Sequence, residues 1–338
     1  MNVPVVAFFN NKGGVGKTSL VYHVAWMFSD LGTRVLAADL DPQANLTAAF
    51  LDEDALEGLF ESDGALATIY GCVEPLVKGT GDVARPTSLA IADNLALLPG
   101  DLRLSSFEDE LSSQWPASLS GNERAFRVLS AFWRIIQNEA RELGSELILV
   151  DLGPNLGAIN RAALISADHV VVPLSTDLYS LQGLRNLGPT FRKWRKEWKD
   201  RLERKPAMDI ELPAGLMEPL GYIVLRHSVR LDRPMMAYDK WVNRIPGEYR
   251  SSVLSEESSA EVSIQNDPYK LALLKHYRSL MPMAQEARKP MFHLKPGDGA
   301  IGSHLQLAHD AWKDFKALAE VIAERVNAAR LASPVSSP

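Results

Sequence analysis

The sequence predicts a doubly wound α/β fold: a mostly parallel sheet with helices on both faces. Three observations carry this prediction. Short apolar, β-branched runs recur along the chain, helical patterns separate them, and a glycine-rich turn lies between the first run and the first helix. Strands of near-continuous apolar character need cover on both sides, and alternating helices supply it.

Taken in order, the candidate strands are Val3 to Phe9, Arg34 to Ala38, Leu95 to Leu98, Glu146 to Val150, His169 to Pro173 and Gly221 to Leu225. Helices are predicted from Lys17 to Leu31, closed by Gly32, from Glu123 to Leu143, and from Leu181 to Arg204. A last helix, Ser303 to Leu331, carries Leu305, Ala308, Trp312, Phe315, Leu318 and Ile322 at three- and four-residue steps and is expected to pack on the sheet. The stretch from Asp52 to Gly121 is rich in Gly, Ser and Asp and reads as loops and short helices inserted between strands. Residues 1–330 are thus expected to form a single domain, and 331–338, LASPVSSP, a disordered tail.

The 338 residues are 46% hydrophobic and 23% charged, enough apolar content for a sizeable core. A net charge of -6 argues against coating nucleic acid with the whole surface, so any such contact must be a local patch. Cys72 is the single cysteine, which excludes a disulfide framework and makes a reducing cytoplasm the expected setting. No apolar stretch approaches the ~20 residues of a membrane span, and the amino terminus lacks a basic signal-like segment, so no membrane partner is expected. The seven histidines have no paired ligand spacing and no serine sits in a G-x-S-x-G context, leaving Mg²⁺ as the one metal implied.

Three segments carry chemistry. In NNKGGVGKTS, Asn10 to Ser19, the glycines let successive backbone N–H groups curl inward, and the following helix turns its positive end towards them. That cradle suits phosphate: Lys17 can reach β and γ groups, and the Thr18 hydroxyl can coordinate Mg²⁺. Asn11 stands where G-x-x-x-x-G-K-[ST] begins with glycine, and Lys12 is a second lysine that one phosphate site does not require. In VLAADLDPQANLT, Val35 to Thr47, a strand ends in Asp39 and Asp41 before a turn-forming proline. In LILVDLGPNLGAINRAAL, Leu147 to Leu164, an apolar strand delivers Asp151, fitting a carboxylate that acts on Mg²⁺ through water.

KGGVGKTS, Lys12 to Ser19, resembles the deviant Walker A motif of ParA/MinD-type ATPases, a SIMIBI-class P-loop family, and the second segment resembles that family's DxDPQxN motif. VVVPLSTDLYSLQGLRNL and EARKPMF look like its ParA/Soj branch. The resemblance implies ATP bound by Lys12, Gly13, Gly14, Val15, Gly16, Lys17, Thr18 and Ser19, with Mg²⁺ organised by Thr18, Asp39 and Asp151. It implies catalytic roles for Lys12, Lys17 and Asp41: Lys12 reaches across a nucleotide-sandwich homodimer to the partner's phosphates, and Asp41 orients the attacking water. Family members usually read D-x-P-P after the third carboxylate, whereas Gly153 replaces the first proline here.

From Arg192 to Lys205, RKWRKEWKDRLERK sets eight basic residues against three acids around Trp194 and Trp198. A salt-sensitive patch for double-stranded DNA of any sequence is one reading; a solvated helix laced with ion pairs and anchored by the tryptophans is the other. Alignment on the ParA pattern assigns Arg192 and Arg230 to DNA, with Lys193, Arg195 and Lys196 sharing the contact. The resemblance then implies a slow, nucleoid-associated cytoplasmic ATPase, stimulated by a ParB-like partner, that partitions a plasmid, a chromosome or another cargo. No helix-turn-helix precedes the P-loop, so operator-specific autorepression is not expected. A MinD-like switch usually ends in a basic amphipathic anchor, unlike this tail. A nitrogenase iron-protein-like reductase needs cluster cysteines. A dethiobiotin synthetase-like ligase would use the same cradle for a small carboxylate but leave the basic stretch without purpose.

Overall fold

The computed structural model describes residues 2–61, 67–225, 241–256, 262–277 and 279–332. Its strands are β1 (Val5–Phe8), β2 (Val35–Asp39), β3 (Leu89–Ala92), β4 (Leu95–Leu98), β5 (Leu147–Asp151), β6 (His169–Ser175), β7 (Glu218–Leu225) and β8 (Lys270–Leu274). They form one sheet in the order β3-β4-β2-β5-β1-β6-β7-β8, parallel except for the β3/β4 pair. The predicted strands all lie in it. The sequence reading missed β3 and β8. A two-residue Asp93-Asn94 turn makes β3 and β4 a hairpin, a signal hidden by the polar stretch before it; a register shift between Ala90 and Ala92 interrupts their pairing.

Alternation along the central strands feeds two cores. Val5 and Ala7, Leu36 and Ala38, Ile148 and Val150 face one side with α4 (Ile69–Lys78), α5 (Phe107–Ala117), α6 (Glu123–Leu129), α7 (Ala131–Leu143), α8 (Ala158–Ile165) and α9 (Leu178–Leu202). Val6 and Phe8, Val35 and Ala37, Leu147 and Leu149 face the other, under α1 (Lys17–Asp30), α2 (Asn45–Phe50), α11 (Leu280–Ala287) and α12 (Ser303–Ala332). Each side buries apolar side chains from both strands and helices, the dominant favourable term in such a layered fold.

Several boundaries differ from prediction for identifiable reasons. The helix expected over Glu123 to Leu143 breaks at Ser130, whose hydroxyl donates to Phe126 O at 2.7 Å and accepts from Arg134 Nε at 3.2 Å. Helix α9 starts three residues early because Asp177 caps it, accepting from Ser180 N at 2.9 Å. The region from Asp52 to Gly121 holds the expected short helices, α3 (Glu53–Glu61), α4 and α5, and in addition the β3/β4 hairpin. On α12, Ala308, Phe315, Leu318 and Ile322 are buried as expected, while Leu305 is exposed. Residues 333–338 of the predicted tail lie outside the described residues.

Helix α9 is clamped on its outer side by α10 (Ile245–Glu248) and the π-helical turn Tyr249–Leu254. Arg185 pairs with Glu248 at 2.8 Å, and Gly188 lets the backbones meet: a Cβ there would lie 1.8 Å from Ser252 O. Gly188→Ala therefore must push the turn away, and is expected to lower stability by about 1–3 kcal/mol, read as a shift of the urea midpoint at unchanged slope. A midpoint equal to wild type would mean that this contact does not hold the turn.

Candidate functional site

The carboxyl ends of β1, β2 and β5 meet in the middle of the sheet, where ligands of open α/β folds bind. Register does much of the work. Asp39 pairs with Asp151 across β2 and β5, and Phe8, just before the glycine-rich turn, pairs with Asp151 across β1 and β5. Gly14 and Gly16 take left-handed backbone angles, with φ of 71° and 77°, which turn the chain back into α1 without the strain a side chain would bring.

Lys17 is buried, its ammonium donating to Asn10 O at 3.3 Å and Lys12 O at 3.4 Å. Burial lowers its pKa, and Asp151 and Asp41 oppose the fall. Asn10 ties the turn to β6 by donating to Pro173 O at 2.6 Å. The turn and the start of α1 form one end of a cavity of about 760 Å³. Gly13, Gly14, Val15, Gly16, Lys17, Thr18 and Ser19 all border it, together with Asp41. The far wall comes from α2 and α11, with Ala48, Ala49, Met281 and Gln285.

The three acids are not equivalent. Asp39 is saturated: it accepts from Thr47 N and Thr47 Oγ1, both at 2.8 Å, and from Asp41 N at 3.2 Å. Thr47 Oγ1 in turn accepts from Gly100 N at 2.7 Å. Burial nevertheless raises the Asp39 carboxyl. Asp39 thus supports the site by fixing the turn that carries Asp41, with both oxygens engaged by protein donors. Asp151 is fully buried and neither oxygen meets a hydrogen-bond partner. Burial and then the charge of Asp39 raise its pKa, while the nearby Thr18 hydroxyl pulls it down. A buried, unpartnered carboxylate beside a hydroxyl and a phosphate cradle suits Mg²⁺, which takes one or two protein oxygens and completes its shell with phosphate and water. Among the described residues no group of three or more His, Cys, Asp or Glu is arranged to hold a metal ion.

Lys12 stands at the rim, ion-paired with Asp177 of the same chain and 5.9 Å from the ring centre of Tyr179. Burial would raise the Asp177 carboxyl, but the Lys12 ammonium and the Ser180 N–H hold it below the usual range. Sequence reasoning missed Asp177, although its position before a helical run with serine three residues later is a cap signal. It also missed His23 and Arg288. The side chain of Arg288 donates to Leu51 O, joining the ends of α11 and α2 across the cavity, and no local pattern announces so distant a contact.

The basic stretch on α9 divides. Trp194 and Trp198 are buried, and Arg201 stacks 3.8 Å from the ring centre of Trp115. Arg195 donates to Leu216 O at 2.7 Å and Met217 O at 2.9 Å, and burial lowers its pKa. Arg192 is exposed yet donates to Ser252 O at 3.0 Å and Val253 O at 3.2 Å. Lys193 and Lys196 project into solvent, Lys193 lying 3.9 Å from Glu197. Arg230 lies outside the described residues.

Sheet order, phosphate cradle and strand-end carboxylates together define a P-loop nucleotide-binding protein. Residues 3–204 match a family model described as an AAA domain, and the chain belongs to that family; the proteins it is similar to include ParA/Soj-type partition proteins. It is 30% identical to the sporulation initiation inhibitor protein Soj of Bacillus subtilis over 188 residues, covering 56% of this chain and 64% of Soj. The match thus spans just under two thirds of that relative. Among solved structures, protein DIP2308 of Corynebacterium diphtheriae has the same fold, with a TM-score of 0.68, 24% identity and coverage of 97% and 100% of the two chains. So does a variant of Cyanothece McdA in complex with ATP, with a TM-score of 0.60, 16% identity and coverage of 95% and 97%. No helix among the described residues is long and apolar enough to cross a membrane.

His23 links the cradle to the carboxyl-terminal part of the chain. Its Nδ1 bonds Ser19 O at 2.7 Å, its Nε2 accepts from Met291 N at 3.2 Å, and its ring stacks on Phe315. These contacts fix the neutral form, with the proton on Nδ1. Burial, offset in part by the Ser19 carbonyl and reinforced by His293, lowers its pKa to about 4. The unfolded state takes up a proton near pH 6.5 and the folded state does not, so this contribution to stability is complete above pH 6.5 and lost as pH falls towards 4. Asp39 and Asp151, raised by burial, act in the opposite direction, so the informative comparison is with His23→Phe. Between pH 7 and 4 the wild type should lose about 3 kcal/mol more than the variant in urea unfolding. Parallel profiles would mean that His23 is not held neutral.

Proposed function

We propose that this protein is a slow ATPase whose Mg-ATP-dependent homodimer binds double-stranded DNA of any sequence, and which a ParB-like partner releases by accelerating hydrolysis. One observation carries the reading: a buried lysine in a glycine-rich cradle, Lys17, lies within electrostatic reach of a buried aspartate with no hydrogen-bond partner, Asp151, and a second lysine, Lys12, precedes the same turn.

In this reading the backbone N–H groups from Gly13 to Thr18 hold the phosphates, and Lys17 sets its charge against the β and γ oxygens. The Thr18 hydroxyl and Asp151 hold Mg²⁺, which supplies charge neutralisation on those oxygens. Asp41 orients the attacking water and receives its proton, while Asp39 keeps Asp41 in place through the Thr47 contacts. Lys12 of a second copy adds positive charge to the transferring phosphoryl group. For that the Lys12 ammonium must leave Asp177, so the internal ion pair makes the step conditional on a competing anion. Ala48, Ala49 and Met281 offer apolar cover for the base at the far end of the cavity.

The DNA contact falls to the solvent-facing part of α9, with Lys193, Lys196 and the outer face of Arg192. Arg195 serves the fold through its bonds to Leu216 and Met217, and Arg230 belongs to the proposal on sequence alone. Association with the nucleoid follows from such phosphate contacts, and the cargo is a plasmid, a chromosome or another assembly.

Two measurements test this reading. Asp41→Ala should lower ATP turnover about 100-fold or more while leaving binding of a fluorescent ATP analogue near wild type. Random-sequence duplex binding, measured across a salt series, should require ATP, and Lys193→Glu/Lys196→Glu should weaken it and reduce the log–log salt slope by about 2. No turnover and no DNA binding at low salt under any nucleotide condition would sink the proposal.

A further inference from the structure

The loop after Asp151 touches both halves of the site and carries one proline, Pro154, preceded by the unrestrained Gly153. A Cβ at Gly153 would lie 3.1 Å from Asp41 Oδ1, and one at Gly13 would lie 3.9 Å from Pro154 Cγ. Any shift of this loop therefore moves against the Asp41 carboxylate on one side and the phosphate cradle on the other. Gly153 stands where the ParA-type pattern has a proline, so the backbone freedom a proline would remove must be restrained by something else.

That restraint comes from Asn160, a buried residue on α8. Its Nδ2 donates to Gly153 O at 3.0 Å, Asn155 O at 2.7 Å and Asn155 Oδ1 at 3.0 Å. All three neighbours are acceptors, which fixes the amide orientation and leaves Asn160 Oδ1 buried with no partner. An unsatisfied buried acceptor is destabilising, so the arrangement favours holding the loop over satisfying the amide. The base of the clamp is itself immobilised: Glu108 of α5 accepts from Ala158 N at 2.5 Å and Ile159 N at 2.8 Å, at the amino-terminal end of α8.

We propose that Asn160 is a positioning residue for ATP hydrolysis, its amide replacing the missing proline by fixing Gly153 and Asn155 and thereby the spacing of Asp41 and the phosphate cradle. This rests on the ATPase reading above. Small displacements of reacting groups are enough to lose much of the rate while leaving binding intact.

The test compares wild type, Asn160→Ala and Asn160→Leu, which keeps more of the volume. Each is measured for kcat, KM, binding of a fluorescent ATP analogue, and Tm. In Asn160→Ala and Asn160→Leu, kcat should fall about 10- to 100-fold with analogue binding within about threefold of wild type. A kcat within about twofold of wild type in both single variants would overturn the role. Losses of kcat, binding and Tm together would also overturn it, since they describe a fold contact only. Absence of turnover in the wild type would overturn the ATPase reading and this role with it, whereas turnover unaffected by Asn160 overturns this role alone.

Discussion

Two buried carboxylates side by side at the ends of adjacent strands are the constraint around which this protein is arranged. The register that joins Asp39 to Asp151 places like charges together where water cannot screen them. The chain treats them asymmetrically. Asp39 is surrounded by donors from Thr47 and Asp41, which tie β2 to the start of α2 and, through Thr47 and Gly100, to the chain beyond β4. Asp151 keeps its oxygens bare, with the Lys17 charge nearby. One acid thereby becomes part of the scaffold, and the other remains available for chemistry.

The walls around these acids are joined by contacts far apart in sequence. His23 bonds the chain entering the carboxyl-terminal part, Arg288 reaches back to the end of α2, and Asp177 holds Lys12 against the start of α9. The first and last tie the glycine-rich turn and its helix to distant parts of the chain, and the second joins the two elements of the far wall.

The core of the fold was legible in the sequence, and the residues proposed for the site could be picked out there, because their signals are local. Six apolar runs, a glycine turn and two strand-end acids each announce themselves within about ten residues, a short-range pattern that backbone geometry alone enforces. What stayed hidden depends on tertiary partners. Strand β8 is short and gains its identity by pairing with β7. Asn160 reads as an ordinary helix residue until the fold brings Gly153 and Asn155 to its amide. The basic run on α9 looked uniform as text, but periodicity turned Arg195 and Arg201 towards protein carbonyls and an indole, and left lysines outside. Charge counts along a helix do not distinguish those environments.

The sheet ends in two modest edges. Strand β3 has four residues with a break in its pairing, and β8 has five. Such edges are poor templates for another strand, because few unpaired backbone groups lie in line and the bulge disturbs even those. A second copy gains little by extending the ladder.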